Sequence, residues 1–101
     1  MGDSSRSVWL DVSAEEAPQP FMRTTAALRQ LPNGAFLHLY HRMRPCHLYD
    51  FLQQHHFLEL TYTECDGAHH LYIWRSGDTA AEAAAEQAYH DSLHHPLSDD
   101  D

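Results

Sequence analysis

A chain of 101 residues holds one domain with room for a single modest core. Its formal net charge of -9, with arginine as its only strongly basic residue, argues against nucleic acid and anionic membranes as partners, because both demand a basic footprint. Hydrophobic residues make up 43% of the chain, but no apolar run is long enough to cross a bilayer and no charged-then-apolar leader opens it, so the expectation is a cytoplasmic protein whose two cysteines are free thiols.

Residues 1–7 are polar and carry no periodic pattern. From Val8 to Val12 the alternation predicts a strand, with Val8, Leu10 and Val12 on one face and Trp9 and Asp11 on the other. A loop follows, and Pro20 suits the first turn of a helix that runs to about Leu31, with Phe21, Thr25, Leu28 and Leu31 as its buried stripe. Pro32-Asn33-Gly34 stops it. Ala35–Tyr40 reads as a second strand, and Pro45 to His55 as a second helix burying Leu48, Phe51 and Leu52. Residues 57–65 and 68–75 form a hairpin around Asp66-Gly67, the dipeptide of tight two-residue turns. After Gly77-Asp78, Thr79 with Glu82 reads as a capping box opening an alanine-rich helix to about Leu93. The apolar face of that helix is thin: Ala81, Ala85, Tyr89 and Leu93. The acidic residues Asp99, Asp100 and Asp101 follow as a solubilising tail.

The order β-α-β-α-β-β, with right-handed crossovers, predicts an α/β two-layer sandwich: a mixed four-stranded sheet with two helices on one face, plus the alanine-rich helix. The domain covers residues 8–76, and 77–101 are the helix and tail.

Four stretches occur together in order: LDV at 10–12, APQPFMRTTAALRQLPNG at 17–34, PCHLYDFL at 45–52 and LYIW at 71–74. On these the chain resembles the domain-of-unknown-function 2249 family, related in fold to the TusA/SirA sulfur carriers. The carriers have Cys-Pro-x-Pro at the entrance to the first helix, where the thiolate accepts sulfur. This chain has Ala17-Pro18-Gln19-Pro20, so persulfide transfer at that position is ruled out. Many family members have an Asp-His-Asp-Pro-like turn before the second helix, where this chain has Arg42-Met43-Arg44-Pro45.

Ten histidines are scattered along the chain. The first two strands run the same way, so the loops at 13–19 and 41–45 meet at one sheet edge, where both helices begin and their free N–H groups favour an anion or thiolate. The third strand also ends there. His41, Cys46, His47, Cys65 and His69 thus form a candidate zinc or copper constellation, and Arg23, Arg42 and Arg44 a candidate anion- or ligand-binding edge. His55 and His56 fall at the opposite edge, about 25 Å from Cys65 at about 3.3 Å per strand residue. Cys46 lacks a base and an orienting group, so no enzyme activity is read from it. With Leu10, Leu37, Leu39, Leu58, Leu60, Leu71 and Ile73 facing the two helices, Trp9, Phe36, His38, Tyr40, Tyr72 and Trp74 point the other way. An open face of that kind is an interface for a protein partner or a second copy, unless the alanine-rich helix folds over it. The resulting reading is a small non-enzymatic binding or interaction module. Its alternatives are a metal- or thiol-binding carrier using the His41-Cys46-His47 turn, and a degenerate sulfur-relay partner using Cys46 or Cys65.

Overall fold

The computed structural model describes residues 7–43 and 45–94, excluding the side chain of His94. The elements are β1 (Ser7–Asp11), α1 (Gln19–Arg29), β2 (Phe36–His41), α2 (Cys46–Gln54), β3 (Phe57–Thr63), β4 (His69–Arg75) and α3 (Thr79–His94). The strands form one mixed sheet in the order β1-β2-β4-β3. β1 pairs parallel with β2, while β4 lies antiparallel to both β2 and β3.

Leucines of the two crossover helices close one face of the sheet. Leu28 and Leu31, in and just after α1, pack with Leu48 and Leu52 of α2 onto Leu37, Leu39, Leu71 and Ile73. The buried residues of α1 are Pro20, Thr24, Thr25 and Leu28, while Phe21 is 38% exposed. The buried stripe is thus rotated from the predicted one, leaving Phe21 at the rim, where its ring meets Phe51 edge-on. The end of α1 is met from far along the chain: the Arg75 guanidinium donates to Leu28 O in its last turn at 3.4 Å and to Leu31 O just beyond it at 2.6 Å.

α3 closes most of the opposite face. Ala81 and Ala85 are buried against Phe36, Tyr72 and Trp74, with Leu60, Tyr62, Ala88 and Tyr89 packed around them. Of the six aromatic and histidine residues predicted to point away from α1 and α2, Phe36, Tyr72 and Trp74 are covered by α3. Trp9, His38 and Tyr40 lie beyond it, with Trp9 55% exposed. The helix begins one residue earlier than the predicted capping box requires. Asp78 accepts from the Ala81 N–H at 3.1 Å through one carboxylate oxygen and from the Gly34 N–H at 2.8 Å through the other. An aspartate cap tied to a second backbone donor thus replaces the Thr79 hydroxyl. Leu93 points outward.

The hairpin carries the main correction. A two-residue Asp66-Gly67 turn would pair Cys65 with Ala68 and Leu60 with Ile73, turning Leu58 and Leu60 toward α1 and α2. The structure instead pairs Leu60 with Tyr72 and Leu58 with Trp74. The turn takes one more residue: Gly67 N–H donates to Glu64 O at 2.9 Å and Glu64 N–H to Ala68 O at 2.8 Å, with Gly67 at φ +95°. This is a type I turn with a glycine bulge. Side chains alternate along a strand, so this one-residue difference moves all of β3 to the other face. Leu60 joins the α3 layer, and Leu58, near the sheet margin, is 45% exposed.

A Cβ at Gly67 would meet nothing within 4 Å, so the cost of a side chain there is conformational alone. Gly67→Ala should lower stability by about 1–2 kcal/mol, read from urea unfolding. An unchanged midpoint would rule out the left-handed bulge.

Candidate functional site

The C-terminal ends of β1 and β2, the start of β4 and the β3–β4 turn all fall at one edge of the sheet. The chain leaves β1 there through Val12, which is fully buried and donates its N–H to Tyr40 O at 3.0 Å. Asp11 accepts from the Ser13 hydroxyl at 2.7 Å and the Ser13 N–H at 2.9 Å, bonds that hold its carboxyl below the usual carboxylate range. α1 and α2 both begin at this edge, preceded by Pro18 and Pro45, and neither has a side-chain hydrogen bond at its N-cap. The Ala17–Pro18 peptide is cis.

Between the two helix entrances lies a cavity of about 450 Å³. Its apolar walls come from Pro18, Pro20, Phe21, Met43, Pro45 and Leu48, and Glu15, Glu16, Ala17, Thr24, His41, Cys46 and His47 complete it. Glu15 is paired with Arg23. Prolines at helix starts forgo N–H groups that a helix leaves unpaired in any case, so they can build a wall at no hydrogen-bonding cost to the helix.

Three of the predicted ligand residues, His41, Cys46 and His47, therefore share one cavity. The other two do not join them there. Cys65 is exposed in the hairpin turn. His69 is the cross-strand partner of His41, but its Nδ1 lies 3.0 Å from the Thr63 hydroxyl. His41 Nδ1 accepts the Met43 N–H at 3.2 Å, and burial together with the nearby His69 lowers the His41 pKa. Among the described residues, no three His, Cys, Asp or Glu side chains are grouped so as to hold a metal ion. Of the predicted basic edge, Arg23 is engaged by Glu15, Arg42 is exposed outside the cavity wall and Arg44 lies outside the described residues. His55 and His56 close α2 at the far edge of the sheet, where His56 O accepts the Ser76 N–H.

A second polar arrangement crosses the other face of the sheet. His38 Nε2 lies 2.9 Å from His70 Nδ1, and His70 Nε2 lies 2.7 Å from Glu64 Oε2. His70 is buried, and the His38 ring sits 4.7 Å from Trp9, edge-on, and 4.5 Å from Tyr72. Burial, reinforced by the neighbouring His70, pushes the His38 pKa down to about 4. His70 and Glu64 were not legible as partners of His38. Their proximity depends on the β2–β4 register and on the added turn residue that places Glu64 beside β4.

These features define a small α+β domain, a four-stranded mixed sheet with three helices and an edge cavity at two helix entrances. Residues 9–75 match the DUF2249 family, described as an uncharacterized conserved protein, and the chain belongs to that family. No curated protein and no solved structure matches it significantly. Among the described residues no helix is long and apolar enough to cross a membrane.

The His38 environment has a thermodynamic signature. The ordinary imidazole value is 6.5 and the folded value about 4, so between them the unfolded chain binds a proton that the folded chain does not. Stability is therefore lost progressively as pH falls through that window. Urea midpoints measured across it should fall with acidity, and His38→Phe should flatten the dependence while lowering stability at neutral pH. An equally steep dependence in the variant would refute the assignment to His38.

Proposed function

We propose that this chain is a small binding module that takes a compact, largely apolar ligand with an anionic end into the edge cavity. The observation that carries the reading is the cavity itself. Two independent helix entrances converge on it with apolar walls of proline, phenylalanine, methionine and leucine, and they bring two uncapped N-termini to the same opening. Apolar walls with a few convergent polar groups are the usual composition of a ligand pocket. Helix N-termini favour negative charge over positive. The carboxylates of Glu15 and Glu16 at the rim oppose that preference, and Arg23 offsets Glu15.

The probe for this reading is 8-anilinonaphthalene-1-sulfonate, an apolar aromatic anion. It should bind with one-to-one stoichiometry, and Met43→Glu and Phe21→Glu, both at exposed rim positions, should each weaken binding by at least about tenfold, the effect of about 1.4 kcal/mol. Bound probe should slow modification of Cys46 and leave that of Cys65 unchanged. Binding that survives both changes but is lost in Trp9→Glu would place the binding surface on the aromatic sheet face and exclude the cavity.

One observation favours a second reading. Ala17, at the position where the resembling sulfur carriers have their cysteine, lines the same cavity as Cys46. Cys46 would then take over as the thiol of a carrier. Exposure to a persulfide donor should in that case add one sulfur atom, by mass spectrometry, to the wild type and to Cys65→Ser but not to Cys46→Ser. Labelling that is lost instead in Cys65→Ser excludes Cys46 as the carrier thiol.

A further inference from the structure

The outer strands of the sheet, β1 and β3, each have a neighbouring strand on one side only. Such an edge offers a row of unpaired N–H and C=O groups to another strand. Which residues offer them follows from the bonds on the inner side. The Val12 N–H goes to Tyr40 O of β2, and backbone groups alternate in direction along a strand. Val8 and Leu10 therefore bond inward to β2, while Ser7, Trp9 and Asp11 turn their N–H and C=O groups outward. On β3 the Glu64 N–H goes to Ala68 O across the hairpin. Tyr62, Leu60 and Leu58 therefore bond inward to β4, and Phe57, Glu59, Thr61 and Thr63 turn outward.

The outward set of β1 is symmetric about Trp9. A second copy of the strand, laid antiparallel on a two-fold axis through Trp9, brings each outward N–H against an outward C=O. Trp9 exchanges both bonds with Trp9 of the second copy, and Ser7 exchanges both with Asp11 of the second copy. On the α1/α2 face this register sets Val8 against Leu10 of the second copy, side chains already packed on the leucine core. On the other face the exposed indole of Trp9, stacked on Tyr40 at 6.0 Å, meets its counterpart on ground that α3 does not cover. No charged side chain stands between the ends of β1. The two Asp11 side chains end about 13 Å apart at about 3.3 Å per residue, more than a Debye length at physiological salt. The equivalent pairing of β3, centred on Leu60, sets Glu59 diagonal to its own copy at about 7–8 Å on one face. The Thr61 hydroxyl, 2.6 Å from the Glu59 carboxylate, holds that charge in place. A charge in the middle of an edge strand keeps edges apart, and β3 has one where β1 has none.

We propose that β1 is the self-pairing edge of this chain: two copies join through antiparallel β1 strands on a two-fold axis at Trp9 and form one continuous sheet. The axis stands normal to the sheet, so the α1/α2 layers of both copies lie on one side and both α3 helices on the other.

Sedimentation equilibrium of the full-length protein tests this, in high salt to screen the repulsion between two chains of net charge -9. The wild type should sediment with twice the chain mass. Trp9→Lys should raise the dimer dissociation constant by at least about tenfold, while Thr61→Lys, on the other edge, leaves it unchanged. Circular dichroism checks that both variants fold. Hydrogen exchange on the wild type gives a readout that needs no substitution. The amides of Trp9 and Asp11 should gain protection as protein concentration rises, while those of Leu10 and Val12 are protected at every concentration. A wild type that stays monomeric at millimolar concentration would overturn the proposal. So would association that survives Trp9→Lys, or concentration-dependent protection at Thr61 in place of Trp9. Protection of the Trp9 amide in the monomer would give the edge to a segment of the same chain, and would overturn it equally.

Discussion

β4 is buried on both faces, and the rest of the fold depends on that constraint. From His70 to Trp74 every side chain is enclosed, Leu71 and Ile73 against α1 and α2 and Tyr72 and Trp74 against α3. A strand with large apolar groups on both sides requires a layer on each, because leaving several such side chains in water forfeits about 1.5–3 kcal/mol apiece. The two crossover helices supply one layer as a consequence of the β-α-β-α-β order. The other must come from outside that repeat, and α3 supplies it from residues beyond the family-matched region 9–75.

The two faces are built from different chemistry. The α1/α2 side is mainly leucine on leucine, with Thr24 and Thr25 as the buried polar residues of α1. The α3 side is aromatic and alanine, bordered by an imidazole pair, a carboxylate and several tyrosine hydroxyls. Polar groups at the margin of a core are tolerated when hydrogen-bonded, and Glu64, His70 and His38 form a connected row.

The edge cavity arises from the same connectivity. Parallel β1 and β2 bring both helix entrances to one side of the sheet, and a proline immediately before each helix widens the approach with apolar rings. Of the residues read as a metal constellation, those on the β2–α2 turn reach the cavity because the turn itself lines it. His69 and Cys65 belong to β4 and its hairpin, and hydrogen bonding within the hairpin directs His69 elsewhere.

Periodicity and composition by themselves determined the order and kind of the elements, the shared edge of the two helix starts and the outward facing of Trp9, Phe36, His38, Tyr40, Tyr72 and Trp74. Each of these rests on short-range rules: alternation along a strand, a stripe along a helix, proline and glycine at the breaks. Tertiary structure alone decided the facing of β3, because the turn at Asp66-Gly67 admits two loop lengths that differ by one residue, and a shift of one residue exchanges the faces. It alone decided that α3 docks on the sheet, since an alanine face is too weak a local signal to specify its partner. It alone joined His38 to His70 and Glu64, because the separations of 32 residues between the histidines and six between His70 and Glu64 become contacts only through strand pairing.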